Sequence, residues 1–180
     1  MSDVDFLSAA INTLRTNKSL CDRAISQVSD DLLRQPLPGD TNSIAVIMKH
    51  VAGNLRSRWT DFLKSDGEKP WRERDNEFID SFESRDEITE FWEAGWTCLF
   101  QTLEGLSTDD LKKTVEIRGE PHSVPLAVER SLGHTCYHVG QIILIARIHV
   151  GEAWQTLTIP RGKSEEFNQA NWGASGKSRS

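Results

Sequence analysis

Two histidines with helical spacing are the residues of this sequence whose types and spacing best suit chemistry. His134 and His138 are four residues apart in a segment of helical periodicity, so their side chains differ by about 40° around the axis and share one face. Imidazole binds zinc, nickel, iron or manganese, so the pair could hold one metal ion. The pair could equally be two hydrogen-bonded histidines at the edge of a core.

A third histidine could complete the same site. His50 follows the apolar Ile47 and precedes Asn54 at i+4, so it borders the apolar face of another predicted helix. Packed helices lie about 8–10 Å apart, which lets imidazoles from two helices reach one ion. Three neutral nitrogen ligands with a fourth position left to water form an open catalytic site, whereas structural sites close all four positions.

Polar neighbours of the histidines could orient them. Metal-bound imidazoles use their second ring nitrogen to hydrogen-bond a nearby group. The helix neighbours best placed for this task are Asn54, Ser131 and Gln141. Two other histidines are expected to lie elsewhere, because His149 is about 16 Å along the helix from His138, and His122 is expected to be exposed.

Charged residues could supply a base and an anion-binding group. Asp75 and Glu77, in a long polar link, could fold back over the open end of the helices. Arg58, Arg74 or Arg161 could then bind an anionic substrate. The alternative is that these charges are simply solvated.

Four helices and one hairpin must position these residues. Helical periodicity predicts helices over residues 6–28, 43–64, 85–106 and 125–150. A long link follows the second helix, and alternation of Val115 and Ile117 with polar residues before a glycine and proline turn predicts a short β-hairpin before the fourth. The fold class is therefore all-α, with one domain over residues 1–172 and a disordered tail over residues 173–180.

Composition excludes several classes of protein. The 180 residues carry a net charge of −6 and no basic run with interleaved aromatics, which disfavours nucleic-acid binding. The longest purely apolar stretch, residues 142–146, is too short for a membrane span. Three widely spaced cysteines and an acidic start to the chain favour a reducing, cytoplasmic location.

The order of these features resembles the DinB/YfiT-like superfamily of four-helix-bundle metalloenzymes. The stretches that carry the resemblance are residues 43–58, 66–71, 74–78 and 134–141, with Arg147. Residues 159–164 are similar to the end of one uncharacterised branch of that superfamily. The resemblance implies a bundle with a long crossover after its second helix.

The resemblance also implies a ligand set and a class of chemistry. The metal ligands of the superfamily match His50, His134 and His138, and homodimers are frequent in it. Some relatives resemble transferases or isomerases that use a small thiol such as bacillithiol, mycothiol or glutathione, and others resemble metal-dependent hydrolases. A thiol-dependent S-transferase acting on a small electrophile is therefore the first expectation. A hydrolase, or a stress-related binding protein with a structural metal, is the alternative.

Overall fold

The computed structural model describes residues 3–172, and their secondary structure is almost entirely helical. The helices are α1 (Asp3–Ile25), α2 (Asp30–Arg34), α3 (Ile44–Trp59), α4 (Arg85–Glu104), α5 (Val124–Val150) and α6 (Ser164–Trp172), and the strands are β1 (Thr114–Ile117) and β2 (Glu120–Ser123). The predicted all-α class with a small hairpin is confirmed. The predicted tail, residues 173–180, lies outside the described residues.

The four predicted long helices correspond to α1, α3, α4 and α5. The most extensive helix contacts join α3 to α4 and α1 to α5, and α3 also packs along α5. Apolar side chains of all four helices meet in one core, which includes the fully buried Leu14, Leu55, Trp96 and Ile142. The α3–α5 contact positions the candidate ligands, because His50 lies on α3 and the other two lie on α5.

A glycine sets the distance between α3 and α4. A β-carbon built on Gly95 would lie 2.7 Å from the α-carbon of Ala52 and 2.9 Å from its carbonyl oxygen. The atoms in the way belong largely to backbone, which cannot rotate aside. Glycine at this position therefore allows α4 to approach α3 closely.

We expect Gly95→Ala to destabilise the protein by about 1–3 kcal/mol, because overpacking a tight helix contact forces the backbones apart. Chemical denaturation of purified protein measures this change. Gly140→Ala on α5 is the matched control, because a β-carbon there meets nothing within 4 Å. A helical alanine at that position should be neutral or stabilising by up to about 1 kcal/mol. Equal stability of the Gly95→Ala variant and the parent would contradict the close approach.

The hairpin lies between α4 and α5 in the chain, directly before the start of α5. β1 pairs antiparallel with β2, from Thr114 opposite Ser123 to Ile117 opposite Glu120. The two turn residues, Arg118 and Gly119, both have positive φ, as tight hairpin turns with this twist require. The carboxylate of Asp66 accepts hydrogen bonds from both of their backbone N–H groups, at 2.8 and 2.6 Å, so the link is anchored to the turn.

The second predicted helix ends earlier than the periodicity indicated. It was predicted to reach residue 64, but α3 ends at Trp59 and Asp61 adopts a positive φ of 49°. Phe62 still packs on Trp59, with the ring centroids 4.5 Å apart, so the apolar pattern continues beyond the helix. The early end directs residues 60–84 back across the outside of α3, where a 3₁₀ turn over Asp75–Phe78 contacts the helix.

The last described helix, α6, was not predicted. Residues 164–172 show no clear apolar period, and yet Ser164–Trp172 forms α6, whose described side chains are all exposed. Within residues 3–172, no helix is both long and apolar enough to cross a membrane.

Candidate metal centre

Three imidazoles converge between α3 and α5. One ring nitrogen from each of His50, His134 and His138 lies within 4.8 Å of the other two, so the three could hold one metal ion. The Nε2 atoms of His50 and His134 are 3.2 Å apart. Two nitrogens bound tetrahedrally to zinc at about 2.0–2.1 Å would be roughly 3.3 Å apart. The spacing therefore fits a shared ion, although two neutral imidazoles can also hydrogen-bond at 3.2 Å.

The second ring nitrogens of two of these histidines have their own partners. Nδ1 of His50 lies 2.9 Å from a carboxylate oxygen of Glu77, and Nδ1 of His138 lies 2.8 Å from the side-chain oxygen of Gln141. Because both oxygens accept, each Nδ1 carries the hydrogen and each Nε2 keeps a free lone pair. This tautomer presents both Nε2 atoms as ligands, which is the arrangement typical of metal-bound histidine.

Glu77 reaches His50 from the long link and is held there by an arginine. The Arg72 guanidinium donates to both oxygens of the Glu77 carboxylate, at 2.8 and 2.9 Å, and both side chains are buried. Burial alone would raise the pKa of Glu77, but the hydrogen bonds from His50 and Arg72 outweigh it and hold that pKa below its usual range. Glu77 is therefore a carboxylate that orients His50.

A glycine on α3 makes room for this carboxylate. Gly53 lies three residues after His50, and a β-carbon built on it would come within 2.5 Å of Oε1 of Glu77. Any larger residue would push Glu77 away from Nδ1 of His50. The exposed ring of Phe78, the next residue along the link, stacks on the His50 imidazole with centroids 4.9 Å apart.

The two histidines of α5 are held neutral. Burial, with smaller contributions from the neighbouring histidines and arginines, lowers the pKa of His134 to about 3. Burial also lowers the pKa of His138. Metal binding requires neutral imidazole, so neither residue needs to lose a proton at neutral pH before it binds an ion.

We expect the metal-free protein to lose stability as the pH falls from about 6.5 towards 3. His134 ionises near 6.5 in the unfolded chain and near 3 in the folded protein, so the unfolded state binds more protons across this window. The free energy of unfolding should fall by up to about 1.4 kcal/mol per pH unit for this one group. Urea denaturation with a chelator present measures the slope. A slope in His134→Gln as steep as in the parent would contradict the assignment.

The sequence-predicted partners of the histidines occupy different places. Gln141 contacts His138 as described above. The hydroxyl of Ser131 accepts the indole N–H of Trp59 at 3.2 Å, and Ser131 and Asn54 line a cavity beside His134. Within residues 6–171, neither side chain hydrogen-bonds a site histidine, and Nδ1 of His134 is buried without a hydrogen-bond partner.

The charged residues predicted to bind substrate lie in different places. Arg58 lines the cavity beside His134, whereas Arg74, Asp75 and Arg161 are exposed. Of the two acidic residues of the link that were predicted to fold back over the helices, Glu77 lies against His50 and Asp75 is exposed. The expectation that His122 is exposed was wrong, because it is buried in the hairpin, where its Nδ1 lies 2.9 Å from the backbone oxygen of Glu120 and its Nε2 contacts Arg130.

Sequence reasoning missed that Glu77 orients His50. Glu77 is 27 residues from His50 in a stretch without periodicity, so no spacing rule connects them. The available signal was the pair Arg72 and Glu77 in the link, five residues apart, together with a glycine one helical turn after His50. Neither feature identifies a contact until the path of the link is known.

Comparison with known proteins gives a family without a described activity. The family model described as "Protein of unknown function (DUF1572)" matches residues 2–163, which include all three histidines and Glu77. No curated protein and no solved structure matches the chain. Because the match covers most of the sequence, this chain belongs to the DUF1572 family.

Proposed function

We propose that this protein is a metal-dependent enzyme of the DinB/YfiT-like superfamily, in which the four long helices form the bundle. Its three-histidine centre would keep one coordination position open. In the proposed reaction a small thiol loses its proton to solvent and its sulfur bonds to an electrophilic carbon of a small substrate, which releases a leaving group such as chloride or opens an epoxide ring. Zinc is the proposed metal, with nickel, iron or manganese as alternatives.

The observation that carries this proposal is the convergence of the three imidazoles together with their oriented second nitrogens. A cluster of histidines within 4.8 Å has little reason to exist as packing, since neutral imidazoles are polar and need partners when they are buried. Glu77 and Gln141 fix two of the rings with Nε2 directed to a common point. The donor set, three neutral nitrogens, is that of open zinc sites.

Each residue of the centre has a separate task in this proposal. A divalent cation with an open position supplies a Lewis acid that lowers the pKa of a bound thiol or water. His50, His134 and His138 would hold the cation. Glu77 fixes the orientation of His50, and Arg72 keeps the Glu77 carboxylate charged and in place. Gln141 fixes His138.

The state of Glu77 favours thiol transfer over hydrolysis. A metal-dependent hydrolase needs a base to accept the proton of the attacking water. Glu77 is the described carboxylate that hydrogen-bonds a site histidine, and both of its oxygens are already bound by Arg72 and His50. Thiol transfer needs no such base, because a thiol loses its proton far more readily than water does.

A screen of thiol conjugation tests the proposal. Metal-loaded and chelator-stripped protein would be incubated with glutathione, bacillithiol or mycothiol and a model electrophile such as an aryl chloride or an epoxide. We expect conjugation above the uncatalysed rate in the metal-loaded sample alone. Equal rates in both samples would remove the transferase, while unfolding on chelation would favour a structural ion in a non-catalytic binding protein.

We also propose a cytoplasmic homodimer. The support for a dimer is an apolar face on α5, where four large exposed side chains lie within about 40° of one another around the axis. They are Leu126, Tyr137, Leu144 and Ile148. The three cysteines are free, which suits a reducing compartment. Light scattering should give the mass of two 20.3 kDa chains, and the mass of one chain would contradict the dimer.

A further inference from the structure

A small, partly open cavity adjoins the three-histidine cluster. It has a volume of about 90 Å³, and its lining includes His134 and Arg58. An apolar cavity of ~150 Å³ in another protein accommodates benzene, so this cavity suits a ligand of about three to five non-hydrogen atoms. Its apolar wall is formed by Trp59, Ile117 and Ala127.

The guanidinium of Arg58 is incompletely paired. Its Nη1 is buried and has no hydrogen-bond partner among the described residues, and its Nη2 lies 3.6 Å from a carboxylate oxygen of Glu68. The same oxygen of Glu68 also lies 3.0 Å from Nε of Arg118 and 3.8 Å from Nη1 of Arg72, so three guanidiniums share one carboxylate. Burial lowers the pKa of Arg58 to about 10, which still leaves it cationic at neutral pH.

The carboxylates near Arg58 are shared with other hydrogen-bond and ion-pair partners. Asp66 accepts backbone N–H groups from Glu68, Arg118 and Gly119, at 2.6, 2.8 and 2.6 Å. Glu116 contributes to the cavity lining, but it is exposed and alternates along β1 with the buried Ile117. The cavity lining itself holds two guanidiniums, those of Arg58 and Arg130, against the single carboxylate of Glu116, so positive charge is in excess there.

Neutral donors complement this charge. Ser131 accepts from the Trp59 indole, and within the described residues its hydroxyl hydrogen has no acceptor. The Asn54 amide also lines the cavity. Charged and neutral donors around a space with an apolar wall match a carboxylate on a short hydrocarbon body.

We infer that this cavity binds a small aliphatic carboxylate, and that Arg58 pairs with its carboxylate group. The inference rests on the proposed function. It adds that the small substrate beside the metal carries a negative charge and a short apolar body. The binding itself needs no metal, since Arg58, Ser131 and Asn54 belong to the protein. The cavity can therefore be tested separately from the metal centre.

An NMR titration of chelator-stripped full-length protein with propanoate tests the inference. We expect saturable binding at one site, and at least ~10-fold weaker binding of the neutral isostere propanamide, because a charge-assisted hydrogen bond is lost. Arg58→Gln should weaken propanoate binding at least ~10-fold. Arg147→Gln, at an exposed position on α5, is the matched control and should bind as the parent does.

A second variant keeps the test independent of any misfolding of Arg58→Gln. Ala127→Leu leaves Arg58 in place and fills the cavity, so propanoate binding should be lost while circular dichroism stays unchanged. Equal affinity for propanoate and propanamide, or unchanged binding in both variants, would overturn the inference.

The two proposals fail in different ways. Propanoate binding seen only with metal-loaded protein would overturn the cavity inference, because the carboxylate would then be bound by the metal ion and not by Arg58. Arg58-dependent binding in a protein that takes up no metal would instead refute the proposed function and leave the cavity inference standing.

Discussion

His134→Ala is expected to reduce the metal content of the purified protein from one ion per chain to almost none. Removing one of three ligands should weaken binding by more than ~100-fold, since loss of a group that merely orients a ligand already costs about 10–100-fold. The fold should persist, because His134 is only partly buried and its contacts are with the other site residues. Elemental analysis of protein purified without a histidine tag measures the change.

His149→Ala is the matched control for this experiment. His149 lies on the same helix, where its Nε2 hydrogen-bonds the backbone oxygen of Gln35 at 2.9 Å, away from the three-histidine cluster. Its removal should leave the metal content unchanged. Full metal content in His134→Ala, or equal losses in both variants, would show that the ion binds elsewhere.

Glu77→Ala is expected to damage both stability and metal binding. The variant leaves the Arg72 guanidinium buried without its main partner, and breaking a buried ion pair in this way costs about 3–5 kcal/mol. It also frees the His50 ring to rotate, which should weaken metal binding by about 10–100-fold. Urea denaturation and a competition titration with a chromophoric chelator measure the two effects.

Two further variants separate these effects. Glu77→Gln keeps the shape of the side chain and an acceptor oxygen, so its loss of stability should be smaller while metal binding still weakens. Glu73→Ala removes an exposed carboxylate of the same link and should change neither quantity by much. Parent-like metal affinity in both Glu77 variants would mean that Glu77 does not orient a ligand.

The clustering of the three candidate ligands could be predicted from the sequence because helical geometry is local. A spacing of four residues places His134 and His138 on one face whatever surrounds the helix, and the apolar stripe of α5 indicates which way that face points. His50 could be added because it borders the apolar face of the other helix. The structure brings these three together as that reasoning permits.

A hydrogen-bond partner of a candidate ligand could be predicted only where the contact is local. Gln141 is three residues from His138 on the same helix, and that neighbour does hydrogen-bond the imidazole. Ser131 is three residues before His134 but is occupied by Trp59, which belongs to another helix. Glu77 depends on the path of a 25-residue link between α3 and α4, which no pattern of residues specifies.

The ends of the helices also could be predicted only where local contacts set them. Capping by Ser84 and Ser123 is a local interaction, and α4 and α5 begin where the sequence predicts to within one residue. The end of α3 is not local. Phe62 continues the apolar pattern, yet the chain leaves the helix at Thr60 and the Phe62 ring packs on Trp59 from a turn. Periodicity indicates which side chains are buried, and here the pattern of buried side chains continues beyond the end of the helix.

X-ray absorption spectroscopy of the zinc-loaded protein is the most direct test of the central claim. The account predicts three imidazole nitrogens at about 2.0–2.1 Å and one oxygen that thiol addition replaces with sulfur at about 2.3 Å. A spectrum with fewer than three imidazoles, or with a fourth protein ligand that thiol does not displace, would contradict an open three-histidine centre.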